Sequence, residues 1–161
     1  MQESAIRDIV AAYRAATYAI RLPGGRRVVL RVGAPALREL DPLLDAAAHG
    51  TTAGFITAWN PFSQPAPRAE NHGRQRELLA RLRGSARVVL AAAGFGTGWR
   101  EPSLAALAIE PDELDSLARE FRQNAILTFS ARERVRLRLF RDDWRKALAD
   151  SDVDFAPPAR G

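Results

Sequence analysis

Phe55-Ile56-Thr57-Ala58-Trp59-Asn60-Pro61-Phe62-Ser63 begins as an apolar run and breaks at an Asn-Pro pair. The run reads as the end of a buried strand that starts near residue 52, and Asn-Pro as the turn that stops it. A tryptophan and an amide side by side at a strand end point to more than a turn. Strand-end loops are where open sheets place their binding groups. The architecture then depends on which other segments return to that end.

Pro61, Pro65 and Pro67 make 61–70 a loop. A helix is expected over about 71–83, with Leu78, Leu79 and Leu82 on its buried side, Asn71 placed to cap it and Gly84 to stop it. An apolar strand follows at 86–93, then a glycine-rich connection, Gly94 to Pro102, then a third strand at 103–109. Pro111-Asp112-Glu113 opens a helix that ends at Gln123-Asn124. Strands are expected at 125–129 and 134–140, and a last helix over 142–149 with Trp144 and Leu148 inward. If the strand at 52–58 runs up, the helix after it runs down and 86–93 runs up again as a parallel crossover. The strand at 103–109 then runs down, and the helix over 111–122 climbs back. Trp59-Asn60, the start of the helix at 71, residues 94–101 and Gln123-Asn124 should therefore meet at one edge of the sheet.

Before this unit, Ser4 is placed to cap a helix over 4–16 that carries Ile6, Ile9, Val10 and Tyr13 at helical spacing. A hairpin pairs 17–22 with 27–32 through Pro23-Gly24-Gly25. A helical stretch over 36–48 presents Leu37, Leu40 and Leu44, with a second segment starting at Asp41-Pro42. The expectation is one α+β (or α/β) domain over 1–150, with a mixed sheet of about six to seven strands flanked by helices. Residues 151–161 should form a fraying tail.

Composition narrows the chemistry. The 161 residues contain no cysteine, which removes disulfides, thiolate catalysis and cysteine metal sites. His49 and His72 are the only histidines, so no multi-histidine metal site can form within one chain. No metal is expected, and no particular cofactor is indicated. The N-terminal residues lack the basic and apolar regions of a signal peptide, and no apolar run approaches a membrane span. A cytoplasmic protein with no membrane partner is the expectation. The net charge of +5 comes almost entirely from arginine, Lys146 being the single lysine. That bias has the look of a compositional preference and is weak evidence for nucleic acid.

Ile56 to Ser63, Asn71 followed by Arg74, Glu101-Pro102-Ser103 and Gln123-Asn124-Ala125 together resemble the family filed as domain of unknown function 3293, small and mostly bacterial proteins. In order and spacing the resemblance spans roughly residues 13–130. It supports where the site lies and implies no activity or cofactor.

Glu101 is the candidate catalytic group, because partial burial near two tryptophans would raise a carboxyl towards the useful range. An ion pair with Arg74 or Arg100 would account for it structurally. Asn60, Asn71, Gln123 and Asn124 can fix a polar ligand, or turn and cap the chain. Trp59 and Trp99 can stack on a planar ligand or pack under the loops. Arg74 can hold an anion near a helix start, and Ser63 joins the ligand-binding set. Gly94, Gly96 and Gly98 precede a strand and no helix, so they ease a strand reversal better than they cradle a dinucleotide. A triad of Ser63 or Ser103 with His72 and Glu101 lacks the nucleophile-elbow motif. A small anionic or nucleotide-like ligand in a polar-aromatic cleft is the leading expectation, with Glu101 available for catalysis. The rival is a nucleic-acid or protein interaction module in the arginine-rich stretch 132–146. There Arg134, Arg136 and Arg138 alternate with Val135, Leu137 and Leu139 and should face solvent.

Overall fold

In the computed structural model, which describes residues 2–46 and 50–159, the apolar runs line up as one mixed eight-stranded sheet. Helix α1 (Glu3–Ala15) leads into β1 (Thr17–Arg21), which turns through Gly24 and Gly25, both at positive φ, into β2 (Arg27–Leu30). The short α2 (Asp41–Asp45) precedes β3 (Thr52–Ile56). Helix α3 (Arg68–Ser85) then carries the chain to β4 (Val88–Gly96) and β5 (Trp99–Ile109). After α4 (Pro111–Glu120) come β6 (Ala125–Phe129), β7 (Arg136–Leu139) and β8 (Asp154–Phe155).

The spatial order is β2-β1-β4-β5-β3-β6-β7-β8, antiparallel throughout except for β7 with β8. Strands β3 and β4 run in the same direction, as the up-and-down reasoning requires. Strand β5 lies between them and is antiparallel to both. The fold is a single α+β domain, with one strand more than expected.

The alternation of side chains sorts the sheet into two cores. One face carries Ile20, Leu30, Phe55, Leu107, Leu127 and Leu139, covered by Ile6 and Val10 of α1, by Leu40 and Leu44, and by Trp144 and Leu148. The other face carries Ile56, Leu104, Ala106 and Ile126 beneath Leu78 and Leu82 of α3 and Leu114 and Leu117 of α4. A bulge joins the two patterns at the end of β5. Ala108 takes φ +57°, and the register steps from Ala53 opposite Leu107 to Thr52 opposite Ile109, so Leu107 and Ile109 enter different cores. Gly54 permits α4 to dock closely, since a methyl there would lie 2.6 Å from Leu114 Cδ2. The sheet also curls. The segments at 33–34 and 135 are hydrogen-bonded across the gap, with Gly33 N donating to Val135 O and Val135 N to Ala34 O.

Several local expectations are corrected. Helix α1 starts at Glu3, so Ser4 lies inside it and caps nothing. Among its described residues the stretch 36–48 holds a 3-10 turn at Arg38–Leu40 and the short α2, which starts at Asp41-Pro42 as expected, Pro42 having no N–H with which to continue the first turn as one helix. Residues 47–49, which include the end of that stretch and His49, lie outside the described residues. Helix α3 begins directly after Pro67 and runs past Gly84, which places Asn71 within its first turns. Residues 142–149 form a 3-10 turn and irregular turns, with Trp144 and Leu148 buried as expected. A segment that short gains little from helix formation when turns bury the same side chains.

The tail expected to fray over 151–161 supplies β8 at Asp154–Phe155, with Ala156 buried behind it. The cause is Arg138. Its guanidinium holds Asp115 of α4 with two hydrogen bonds of 2.7 Å and Asp154 with a third of 2.7 Å. Arg138 was expected to face solvent; it is instead the tie between the helix layer, β7 and the edge strand. Its side chain is 18% exposed and that of Asp115 is 11% exposed. Arg138→Gln should therefore lose about 3 kcal/mol, the lower end for breaking a largely buried pair. Arg136→Gln, on an exposed side chain, should stay within about 0.5 kcal/mol. Urea unfolding of the two variants checks the contrast, and equal losses would contradict it.

Candidate functional site

Across β1, β4 and β5 the register sets Tyr18, Gly94 and Glu101 in one row. Opposed residues in an antiparallel pair share a face, and this row belongs to the face of the larger core. Residues 94–102 were expected as a connection. They are the tip of a hairpin, with β4 continuing to Gly96, β5 starting at Trp99, and Gly98 turning the chain at φ +75°. Glycine suits β4 here because the Trp99 indole lies over it. A methyl on Gly96 would collide with the indole, and one on Gly94 would touch it at 3.4 Å. Glu101 thus stands on a paired strand and not in a loop, which fixes its direction. Gly96→Ala should cost about 1–3 kcal/mol as an overpacking change. Adding Trp99→Leu should recover part of that loss in thermal melts, and additive losses would contradict the indole-on-glycine contact.

The segment after β3 is held by paired amides. Asn60 takes the left-handed conformation, φ +46° and ψ +71°. Its N–H donates to Asn71 Oδ1 at 2.8 Å, while its own Oδ1 accepts from Asn71 Nδ2 at 2.8 Å and from Ala66 N at 3.1 Å. Asn71 is 2% exposed. With its oxygen doubly occupied, Asn60 turns its Nδ2 to Glu101 Oε1 at 3.2 Å. Phe62 and Ser63 also have positive φ, +53° and +57°. Three such residues among four cost on the order of 1–3 kcal/mol each, so the surrounding contacts must hold them there.

Tyr13, reaching over from α1, closes the other side. Its hydroxyl lies 2.6 Å from Ser63 Oγ, and Asn124 Nδ2 donates to both oxygens at 3.1 Å. Arg141 Nη1 donates to Asn124 Oδ1 at 3.0 Å, while the same guanidinium binds Asp143 and lies 5.1 Å from the centre of the Phe62 ring. Gln123 Nε2 donates to the carbonyls of Trp59 and Phe121.

A pocket of about 70 Å³ results. Trp59, Asn60, Ser63, Trp99, Glu101, Gln123 and Asn124 all line it, so the structure brings together seven of the nine expected site residues. Asn71 stands behind Asn60. Arg74 stands aside, its guanidinium donating to Ala58 O at 3.2 Å and Phe121 O at 2.9 Å, with no carboxylate partner among the described residues. The arrangement assembles no serine triad: His72 accepts from Arg68 Nε and packs edge-on against Trp59, and Ser103 donates to the Glu101 carbonyl. Tyr13 and Tyr18 were not among the expected site residues. The helical spacing marked Tyr13 as core, and nothing in the alternation of the hairpin marks Tyr18 as a wall. In the arginine-rich stretch, Arg138 is occupied as described, Arg134 donates to the Gly33 carbonyl, and Arg136 is exposed.

Glu101 is the one charged side chain in the lining among the described residues. Burial raises its pKa above the ordinary value of 4.5, and the hydrogen bond from Asn60 opposes this in part. Burial likewise raises both tyrosines. With the folded-state pKa of Glu101 above the unfolded value, the folded chain tolerates the protonated form better. Stability contributed by this group is present at low pH and is lost as pH rises through the ordinary carboxylate range towards the folded value. Glu101→Gln keeps an acceptor for Asn60 and removes the charge. It should melt higher than wild type at neutral pH, by about 2–4 °C for each kcal/mol recovered, and the difference should close below about pH 4. A lower melting temperature at neutral pH would show that the carboxylate is a structural anchor.

Residues 56–126 match the model of the family described as protein of unknown function (DUF3293), which bears out the resemblance carried by the motifs over those residues. No curated protein and no solved structure gives a significant match. Among the described residues no helix is long and apolar enough to cross a membrane.

Proposed function

We propose that this protein binds a small polar molecule in the pocket between α1 and the end of the sheet, with Glu101 as the group that accepts its hydrogen bond or proton. The observation that carries this is the state of the carboxylate. It sits on a core-facing strand position, Asn60 engages Oε1, and no described residue donates to Oε2. Glu101 is half-buried, so Oε2 stays open to a donor that enters the pocket, and the strained turn that aims Asn60 at Oε1 is a cost that a binding geometry accounts for. A bound molecule supplies that donor in place of water. The raised pKa also moves the carboxyl towards neutrality, where it is suited to general acid–base work on that molecule.

The lining favours a neutral or positively charged molecule over the anionic or nucleotide-like one expected from sequence. Arg74, the cation expected to hold an anion, is directed onto two backbone carbonyls away from the lining. The interaction-module alternative is weakened in the same way, because Arg138 is held by two aspartates.

Native mass spectrometry of the protein purified directly from cells, compared with Asn60→Ala and Glu101→Gln, tests the proposal. A retained small-molecule mass on the wild type that both variants lose is the expected outcome. A bare wild-type chain that no compound of a metabolite library stabilises in thermal melts would overturn it.

A further inference from the structure

We infer that the molecule taken by this pocket is a small organic cation, a protonated amine with at least one N–H, an assignment that rests on the pocket proposed above and narrows it. The first ground is charge. The lining offers one carboxylate and, among the described residues, no cationic side chain. Arg141, which reaches the rim through Asn124, is paired with Asp143 by hydrogen bonds of 2.9 and 2.7 Å. A ligand cation would therefore meet an uncompensated negative charge.

The second ground is the walls. Both tyrosines and two of the three tryptophans of the chain line this one pocket, with Phe55 beneath them. Aromatic ring faces carry negative potential and attract cations, most strongly when water is excluded. The rings are also fixed in place. Trp99 lies over Gly94 and Gly96, Tyr18 meets Phe55 edge-to-face at 5.2 Å, and the Tyr18 hydroxyl donates to the Tyr13 carbonyl at 2.5 Å. Trp99 and Glu101 stand two residues apart on β5, on one face of the strand, so an indole and the carboxylate border the same space.

The third ground is hydrogen-bond polarity. Asn60 Nδ2 engages Oε1 of Glu101, and Oε2 has no donor among the described residues. An ammonium N–H supplies one in a charge-assisted bond. A quaternary ammonium has no N–H, and an anion would be repelled. Burial keeps the carboxyl harder to ionise than usual while the pocket lacks a cation, and a bound ammonium would reverse that bias.

The test uses the full chain, labelled so that the indole N–H signals of Trp59, Trp99 and Trp144 are read by NMR. Four probes are titrated: butylammonium, tetramethylammonium, 1-butanol and butyrate. Butylammonium should move the Trp59 and Trp99 signals saturably and at the lowest concentration of the four, with tetramethylammonium weaker and butyrate inert. Trp144 lies outside the lining and reports whether the fold is intact. In Glu101→Gln the affinity for butylammonium should fall about tenfold or more, as loss of a charge-assisted bond implies. The comparison among probes on the wild-type chain stands whether or not that variant folds. Binding of 1-butanol or butyrate as tight as that of butylammonium, or an unchanged affinity in a folded Glu101→Gln, would overturn the cation assignment and leave the pocket proposal in place. Tighter binding of tetramethylammonium would overturn the N–H requirement. If no probe of any charge moves either indole, both the assignment and the pocket proposal fail.

Discussion

Strand β5 is held on both sides, paired with β4 from Trp99 to Leu107 and with β3 from Leu104 to Ile109. Its register decides where every other element can sit. A shift of one residue would send Ala105 and Leu107 out of the larger core and Leu104 and Ala106 out of the other. Because both faces are buried, that shift is prohibitive. Glu101 shares the parity of Ala105 and Leu107, so the same constraint that builds the core directs a carboxylate towards it. The hairpin tip reinforces the register, since the Trp99 indole fits only over glycine at position 96.

The amide pair of Asn60 and Asn71 works against local backbone preference. An αL residue other than glycine is disfavoured, and the segment 60–63 contains three of them. What holds them is a reciprocal amide contact to a buried position on α3, a hydrogen bond from Phe62 N to Arg122 O, and the hydroxyl and amide network around Ser63. The strained turn, the start of α3 and the end of α4 are consequently one mechanical unit. Natural proteins tolerate such strain mainly where geometry serves binding or chemistry.

Arg138 gives a contrasting case. Its alternation with Leu137 and Leu139 reads as the solvent side of an amphipathic strand, and for Arg136 that is correct. Arg138 differs because α4 and β8 each bring an aspartate to it. The bidentate fork of arginine suits Asp115 in a way a lysine ammonium would not. Strand β8 pairs with Arg138 and Leu139 and so covers that half of the outer edge of β7.

The sequence by itself determined the α+β class, seven of the eight strands, the common direction of β3 and β4, and the end of the sheet at which the pocket lies. These follow from local signals: apolar periodicity, glycine and proline punctuation, and the reversal each connection imposes. The convergence of Trp59, Asn60, Glu101, Gln123 and Asn124 was legible because it needs only directions along the chain. The roles of individual polar groups were not legible. Asn71 as the partner of Asn60, Arg74 on backbone carbonyls, Arg138 between two aspartates and Tyr13 closing the pocket from α1 all depend on residues 11 to 111 positions away. A hydrogen bond is made or lost over a few tenths of an ångström, whereas a hydrophobic pattern survives errors of several residues. Only the tertiary structure decided which donors meet which acceptors, and with them the charge and shape of the pocket.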